Sequence, residues 1–268
     1  MRVVWRVAVS VFRESVRDKV LYNLVFFAIL LIAASALIGQ LSAGQELKII
    51  KDLGLAAMSI FGLFIAVFIG IGLVFKEVER RSIYSLLAKP ITRTQFILGK
   101  YAGLVLTLAV NLGIMVAAFY AVLAWLDATT PAVLKRAWEA PALDPAMLTA
   151  VALVFVQLMV ITAVALLFST FSSPLLSAAL TFGVFLAGHF SADLRDLEQA
   201  VQSPVITGVT RALYYLLPNL AAFDVKARVV HGDPVLWTDV GLAVGYGVLY
   251  IGALLTAAVW IFSRRDFK

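Results

Sequence analysis

Five blocks of the chain carry no charged side chain: 21–41, 53–75, 101–126, 146–188 and 240–263. Four of them are close to the ~20 apolar residues that an α-helix needs to cross a bilayer core. The block 146–188 is too long for one crossing. It divides at "STFSSP" (169–174), where clustered Ser and Thr followed by Pro174 make a tight turn. The pattern therefore predicts six spans, over 21–41, 53–75, 101–125, 147–169, 174–190 and 240–263. The fold class is all-α integral membrane, with one transmembrane domain over 1–268.

Residues 1–20 follow a different period. At ~100° per residue, Val4, Trp5, Ala8, Val9, Val11, Phe12 and Val16 share an arc. Arg2, Arg6, Arg13 and Arg17 cluster on the opposite side, beside Ser10 and Glu14. A basic amphipathic helix with Trp and Phe, directly before a span, belongs in the cytoplasmic interface. Arg2, Trp5, Arg6, Phe12, Arg13 and Arg17 are its expected membrane-interface residues. The arginines either meet lipid phosphates, each worth ~1 kcal/mol, or only enforce topology, and the two roles are compatible. An A-x-A at 34–36 resembles a signal-peptide cleavage site. The apolar run continues past it and five further spans follow, so the helix reads as retained.

Charge sets the orientation. With both termini inside, the cytoplasmic segments 1–20, 76–100, 169–174 and 264–268 hold 14 of the 22 Lys and Arg but only five of the 16 acids. The excess of Lys and Arg in short loops marks the cytoplasmic side. The expected location is the inner (cytoplasmic) membrane, multi-pass, with both termini in the cytoplasm.

Composition narrows the chemistry. At 62% hydrophobic and 14% charged, with a mean hydropathy of +0.98, the chain has too little polar surface for a soluble domain. There is no cysteine, which excludes disulfides, thiol catalysis and thiolate metal sites. The two histidines, His189 and His231, are far apart, which argues against a dedicated metal site. The net charge of +6 reads as loop bias rather than nucleic-acid binding. No Asp, Glu, Lys or Arg lies inside a predicted span, which argues against a carrier driven by an ion gradient. Asn23, Gln40, Asn111 and Gln157 either hold helices together or contact substrate. Gly62, Ala66 and Gly70, like Gly241 and Gly245, form small-residue stripes suited to close helix packing, within one chain or between protomers. Neither G-x-S-x-G nor H-E-x-x-H occurs. "LGK" (98–100) is not a phosphate loop, because Thr94 and Tyr101 stand where Gly and Ser/Thr are required.

Two polar segments remain. The outer loop 191–239 contains an apolar stretch, "VITGVTRALYYLL" (205–217), too short to span and bracketed by Pro204 and Pro218. It is either a lid over a translocation path or a passive cover. The insert "KEVERRSIYSLLAKPITRTQFILGK" (76–100) is basic, favours helix up to Ala88 and is stopped by Pro90. Thr92 is placed to cap the helix that follows. Topology explains its charge, but two or three basic residues would have been enough. Its length points to a partner.

The insert resembles the cytoplasmic loop of type-2 ATP-binding cassette (ABC) exporter permeases, through Glu79, Leu86, Leu87, Lys89, Pro90, Arg93, Gly99 and Lys100. The sequence is closest to bacterial members similar to the permease of the nitrous-oxide reductase maturation transporter. Ser82 and Ile83 depart mildly from the Gly-Thr of many relatives. The likeness extends to "FSTFSSPLLSA" (168–178), "LYYLLPNLAAFD" (213–224) and "FSRRDF" (262–267). It implies a coupling helix between spans two and three that docks in a groove of a separate ATPase subunit. The expected contacts are Glu77, Glu79, Arg80, Arg81, Tyr84 and Lys89, with Pro90 and Arg93 fixing the loop. It also implies outer short helices over the exit, with Tyr214, Tyr215, Pro218 and Asn219 as gate candidates, and a second permease chain, giving a homodimer. ATP and Mg would sit in the partner subunit, with no cofactor in this chain. Copper handling finds no support, with no Cys and five Met. The other readings are a membrane anchor or scaffold that moves nothing, and an intramembrane enzyme with an unrecognised site.

Overall fold

The computed structural model describes residues 2–41, 44–79, 92–136, 138–190 and 217–264, the side chains of 73–79 excepted. Among the described residues there are helices and no strands. In chain order they are α1 (Arg2–Ser15), α2 (Lys19–Gln40), α3 (Glu46–Glu79), α4 (Arg93–Thr129), α5 (Ala132–Lys135), α6 (Ala146–Ser169), α7 (Pro174–His189), a 3-10 turn (Leu220–Phe223), α8 (Lys226–His231) and α9 (Trp237–Arg264).

Local chemistry sets the boundaries. The Asp18 carboxylate accepts from the Val20 N–H at 2.9 Å and caps α2. Thr92 caps α4 as its sequence position suggested, in a full capping box. The Thr92 hydroxyl accepts from the Gln95 N–H, and the Gln95 side chain accepts from the Thr92 N–H. Pro174 opens α7 at its first turn, where its missing N–H is no loss. Gly232, at φ 77°, closes α8 in the left-handed conformation.

Among the described residues, five helices are long and apolar enough to cross a membrane: α2, α3 over Glu46–Gly72, α4, α6 and α9. The expected span 174–190 is α7, whose 16 residues rise only ~24 Å against ~30 Å of hydrocarbon. Its last residue, His189, is hydrogen-bonded to Gln157 in the middle of α6. The expected spans at 53–75 and 101–125 are parts of longer helices. α3 starts at Glu46 because both of its early lysines are satisfied by distant partners. Lys48 Nζ pairs with Glu139 at 2.6 Å, and Lys51 Nζ donates to the Pro141 carbonyl at 2.8 Å.

α3 and α6 form the centre. α3 packs against α2, α4, α6, α7 and α8, and α6 packs against α3, α4, α7 and α9. α6 is buried on nearly every side along Val160–Leu166, consistent with its uniformly apolar sequence. The stripe Gly62, Ala66, Gly70 is used within the chain: Gly62 lies against Leu158 and Gly70 against Ala165, both on α6. Gly241 and Gly245 on α9 face open space instead. α2 and α9 are peripheral and expose Phe26, Phe27, Leu30, Leu242, Val248 and Leu249. Such an apolar exterior is what a bilayer solvates.

Candidate functional site

One end of the bundle is where α3 ends and α4 begins. Glu77 and Glu79 fall in the last turn of α3, their side chains outside the description. Arg80, Arg81, Tyr84, Lys89 and Pro90 lie outside the described residues. Arg93 is the first residue of α4, and its position is specific. Nη1 donates to the carbonyl oxygens of Phe262 and Ser263, each at 2.8 Å. The last carbonyls of a helix have no partner within the helix, and a cation there also meets the negative end of the macrodipole. Phe96, one turn on, stacks on Phe262 with centroids 5.7 Å apart and planes at 15°. The start of α4 is thus fastened to the end of α9.

α1 sits against the same end of α4. Its buried residues are Ala8, Val11 and Ser15, and the facing surface of α4 is Gly99 and Gly103. A Cβ on Gly103 would meet the Ala8 carbonyl oxygen at 2.6 Å, and one on Gly99 would meet Val7 Cβ at 2.6 Å. "LGK" therefore supplies a seat for α1, with Lys100 buried and its ammonium 5.6 Å from the Phe96 ring centroid. The apolar arc of α1 is divided between two environments. Its Ala8–Val11–Ser15 edge is docked, while Trp5 is 63% exposed and joins the arginines. Arg2 is exposed and Phe12 half-buried. Trp5, Arg6, Val9, Ser10, Arg13, Glu14 and Arg17 line an open groove of about 680 Å³.

At the other end, the 3-10 turn carries Leu220 and Phe223, both fully buried. Tyr214 and Tyr215 lie outside the described residues. Of the remaining gate candidates, Pro218 presents its carbonyl to Gly188, and the Asn219 N–H donates to the Tyr246 hydroxyl at 2.9 Å. Tyr246 also lies beside Phe223, with ring centroids 6.1 Å apart. Asn219, Ala222, Asp224, Arg228, Asp239 and Tyr246 are among the residues lining an open pocket of about 470 Å³. Next to it, Lys226 Nζ reaches the Ser59 hydroxyl at 3.3 Å, joining α8 to α3. The hydrogen bond from Lys48 holds the Glu139 carboxyl below its usual range. Among the described residues, no cluster of His, Asp and Glu could hold a metal ion.

Three structural contacts escaped sequence reasoning: the Asn219–Tyr246 bond, the lysine pair of α3, and the Gly99/Gly103 seat. Only the last left a signal, the i, i+4 glycine spacing at the start of a charge-free run.

Long apolar helices around a buried pair, with an amphipathic helix docked on α4, define an integral membrane domain. The chain belongs to the ABC-2 family transporter proteins, whose family model matches residues 5–267. Comparison with curated proteins gives no match. Membership implies a permease component that pairs with an ABC ATPase subunit and is itself a non-enzymatic transport subunit.

Proposed function

We propose that the chain is the permease of an ABC exporter of the inner membrane, working as a homodimer with two ATPase subunits. Its coupling helix lies in 76–100, and the bacterial permeases of the nitrous-oxide reductase maturation type are its model. The observation that carries this reading is the basic insert joining the two longest helices, α3 and α4, within a chain matched to the family almost end to end. A partner that pulls on such a loop moves two spans at once, which turns closure of an ATPase dimer into a change of access.

α7 and the partly buried segment 217–223 together make the sixth crossing, which returns the chain to the outer side before α9. Non-helical backbone at membrane depth is tolerated where protein buries it and satisfies its polar groups, and the Asn219–Tyr246 bond supports this placement. Both termini then lie on the cytoplasmic side with the loop. α1 lies in the interface, with Arg6, Arg13 and Arg17 toward anionic lipid and Trp5 at headgroup level. ATP and Mg are handled by the partner.

The test is Arg80→Glu combined with Arg81→Glu in a reconstituted complex. The expected result is ATP hydrolysis uncoupled from transport, with the spans still folded. Undiminished transport would remove the coupling assignment.

A further inference from the structure

We infer that α9 carries motion from the cytoplasmic loop to the outer cover, with Arg93 as its lower joint and Tyr246 as its upper one. The inference rests on the coupling role proposed for 76–100 and adds the route by which the stroke reaches the far side.

The lower joint is the double hydrogen bond from Arg93 to Phe262 and Ser263, reinforced by the Phe96–Phe262 stack. Arg93 follows the loop directly, so a displacement of the loop reaches the last turn of α9 through two charge-assisted hydrogen bonds from one guanidinium nitrogen. Such contacts are short and directional and hold geometry better than apolar packing. α9 itself is an uninterrupted helix of 28 residues without proline, ~42 Å long. Its buried face is the narrow row Ala243, Gly247, Ile251, Ala258 and Phe262, mostly small residues, while Leu242, Val248 and Leu249 stand exposed. A rod gripped at one end, again about a third of the way from the other, and along one smooth stripe moves as a unit.

The upper joint is the Tyr246 hydroxyl, which accepts from the Asn219 N–H at 2.9 Å. Phe223 packs against the same tyrosine and against Gly247. Leu220 and the Pro218 carbonyl rest on Gly188, the penultimate residue of α7. The segment 217–223 is thus tied to α9 by a bond to its backbone. Phenylalanine at 246 would remove the hydroxyl that accepts from this half-buried N–H. Arg93 and Tyr246 are positioning residues in this scheme, and neither touches a transported molecule.

The chain has no cysteine, so one reporter can be introduced at Ala222, an exposed residue of the 3-10 turn. Ala222→Cys is assembled with the ATPase subunit in proteoliposomes, and its rate of modification by a maleimide is measured with and without ATP. The expected result is an ATP-dependent change in rate for the reporter alone. That change is lost with Arg93→Gln and with Tyr246→Phe, partly retained with Arg93→Lys, and no worse in the Gln/Phe double variant than in either single one. Non-additivity of this kind shows that two positions act on one route. ATP hydrolysis and co-purification of the ATPase stay at the parental level in Tyr246→Phe. Tyr246→Phe removes a single oxygen, so an ATP-dependent change that survives it in full overturns the inference. Loss of ATPase binding or hydrolysis in Arg93→Gln also overturns it, because Arg93 would then be serving loop docking. If the reporter alone shows no response to ATP, the coupling role of the loop fails with it. A normal response that persists in both single variants sinks only the α9 route.

Discussion

Lys51 and Pro141 are joined across 90 residues of sequence: the lysine ammonium, fully buried at the second turn of α3, donates to the proline carbonyl at 2.8 Å. A cation at the edge of a membrane span is tolerated when protein supplies its partner. This one fastens α3 to the segment ahead of α6. Lys51→Met should leave the Pro141 carbonyl without that donor and cost about 1–3 kcal/mol. The expected outcome is a lower midpoint of thermal unfolding in detergent, with Lys51→Arg closer to the parent. An unchanged midpoint in the methionine variant would show that the bond contributes nothing.

The seat of α1 on α4 is tested at Gly103. Valine there would drive a side chain into the Ala8 carbonyl and Val11, an overpacking that typically costs about 1–3 kcal/mol. Ser15 is buried in the parent, so Ser15→Cys should react slowly with thiol reagents and quickly once Gly103→Val is added. Gly113→Val, on a face of α4 with open space, is the control and should leave the rate unchanged.

The Lys48–Glu139 pair makes a prediction with a sign. Glu139 is held below its usual range in the folded chain by the hydrogen bond from Lys48, so the unfolded chain binds its proton more readily. Its contribution to stability is complete above the ordinary glutamate value of ~4.3 and fades as pH falls through the lower, folded value. The difference in melting midpoint between the parent and Glu139→Gln should be visible at neutral pH and should close in the acid range. A difference that instead widens toward acid would contradict the assignment.

Gln157 and His189 hold α6 to α7. The Phe185 carbonyl can only accept, so His189 Nδ1 carries the proton toward it at 3.0 Å, and Nε2 accepts from the Gln157 amide at 3.0 Å. His189→Leu leaves a buried amide unpaired, which should cost about 1–3 kcal/mol, whereas Leu at both positions removes both partners and should recover much of that loss. A double-mutant cycle on unfolding midpoints decides it, and strict additivity would mean that the two side chains do not interact.

The spans could be read from the sequence because hydrocarbon forbids unpaired charge, which writes itself into the chain as uninterrupted apolar runs. Thr92 was legible because a cap and its Gln95 are three residues apart and need nothing else. The start of α3 was not. Lys48 and Lys51 look like loop residues until Glu139 and Pro141 arrive from far along the chain. α7 was read as a full crossing from its apolar composition, which does not report that the helix itself, Pro174–His189, is shorter than the hydrocarbon core. Trp5 was placed with Ala8 and Val11 by the helical wheel, but a wheel cannot show that α4 takes only part of that arc. For the insert 76–100, sequence likeness named Arg93 as fixing the loop, while its hold on α9 depends on a contact 169 residues away.

The length of α4 has a mechanical consequence. Its 37 residues make a rod of ~55 Å, well beyond the ~30 Å that hydrocarbon requires. A rod that overhangs its support on both sides is a lever, and the bilayer is the fulcrum. A tilt of about ten degrees about the midpoint sweeps each tip through about 5 Å, close to one helical turn. For a given angle the tips travel the same distance whatever the lipid, and the bilayer thickness sets only how much of each arm stands outside the hydrocarbon.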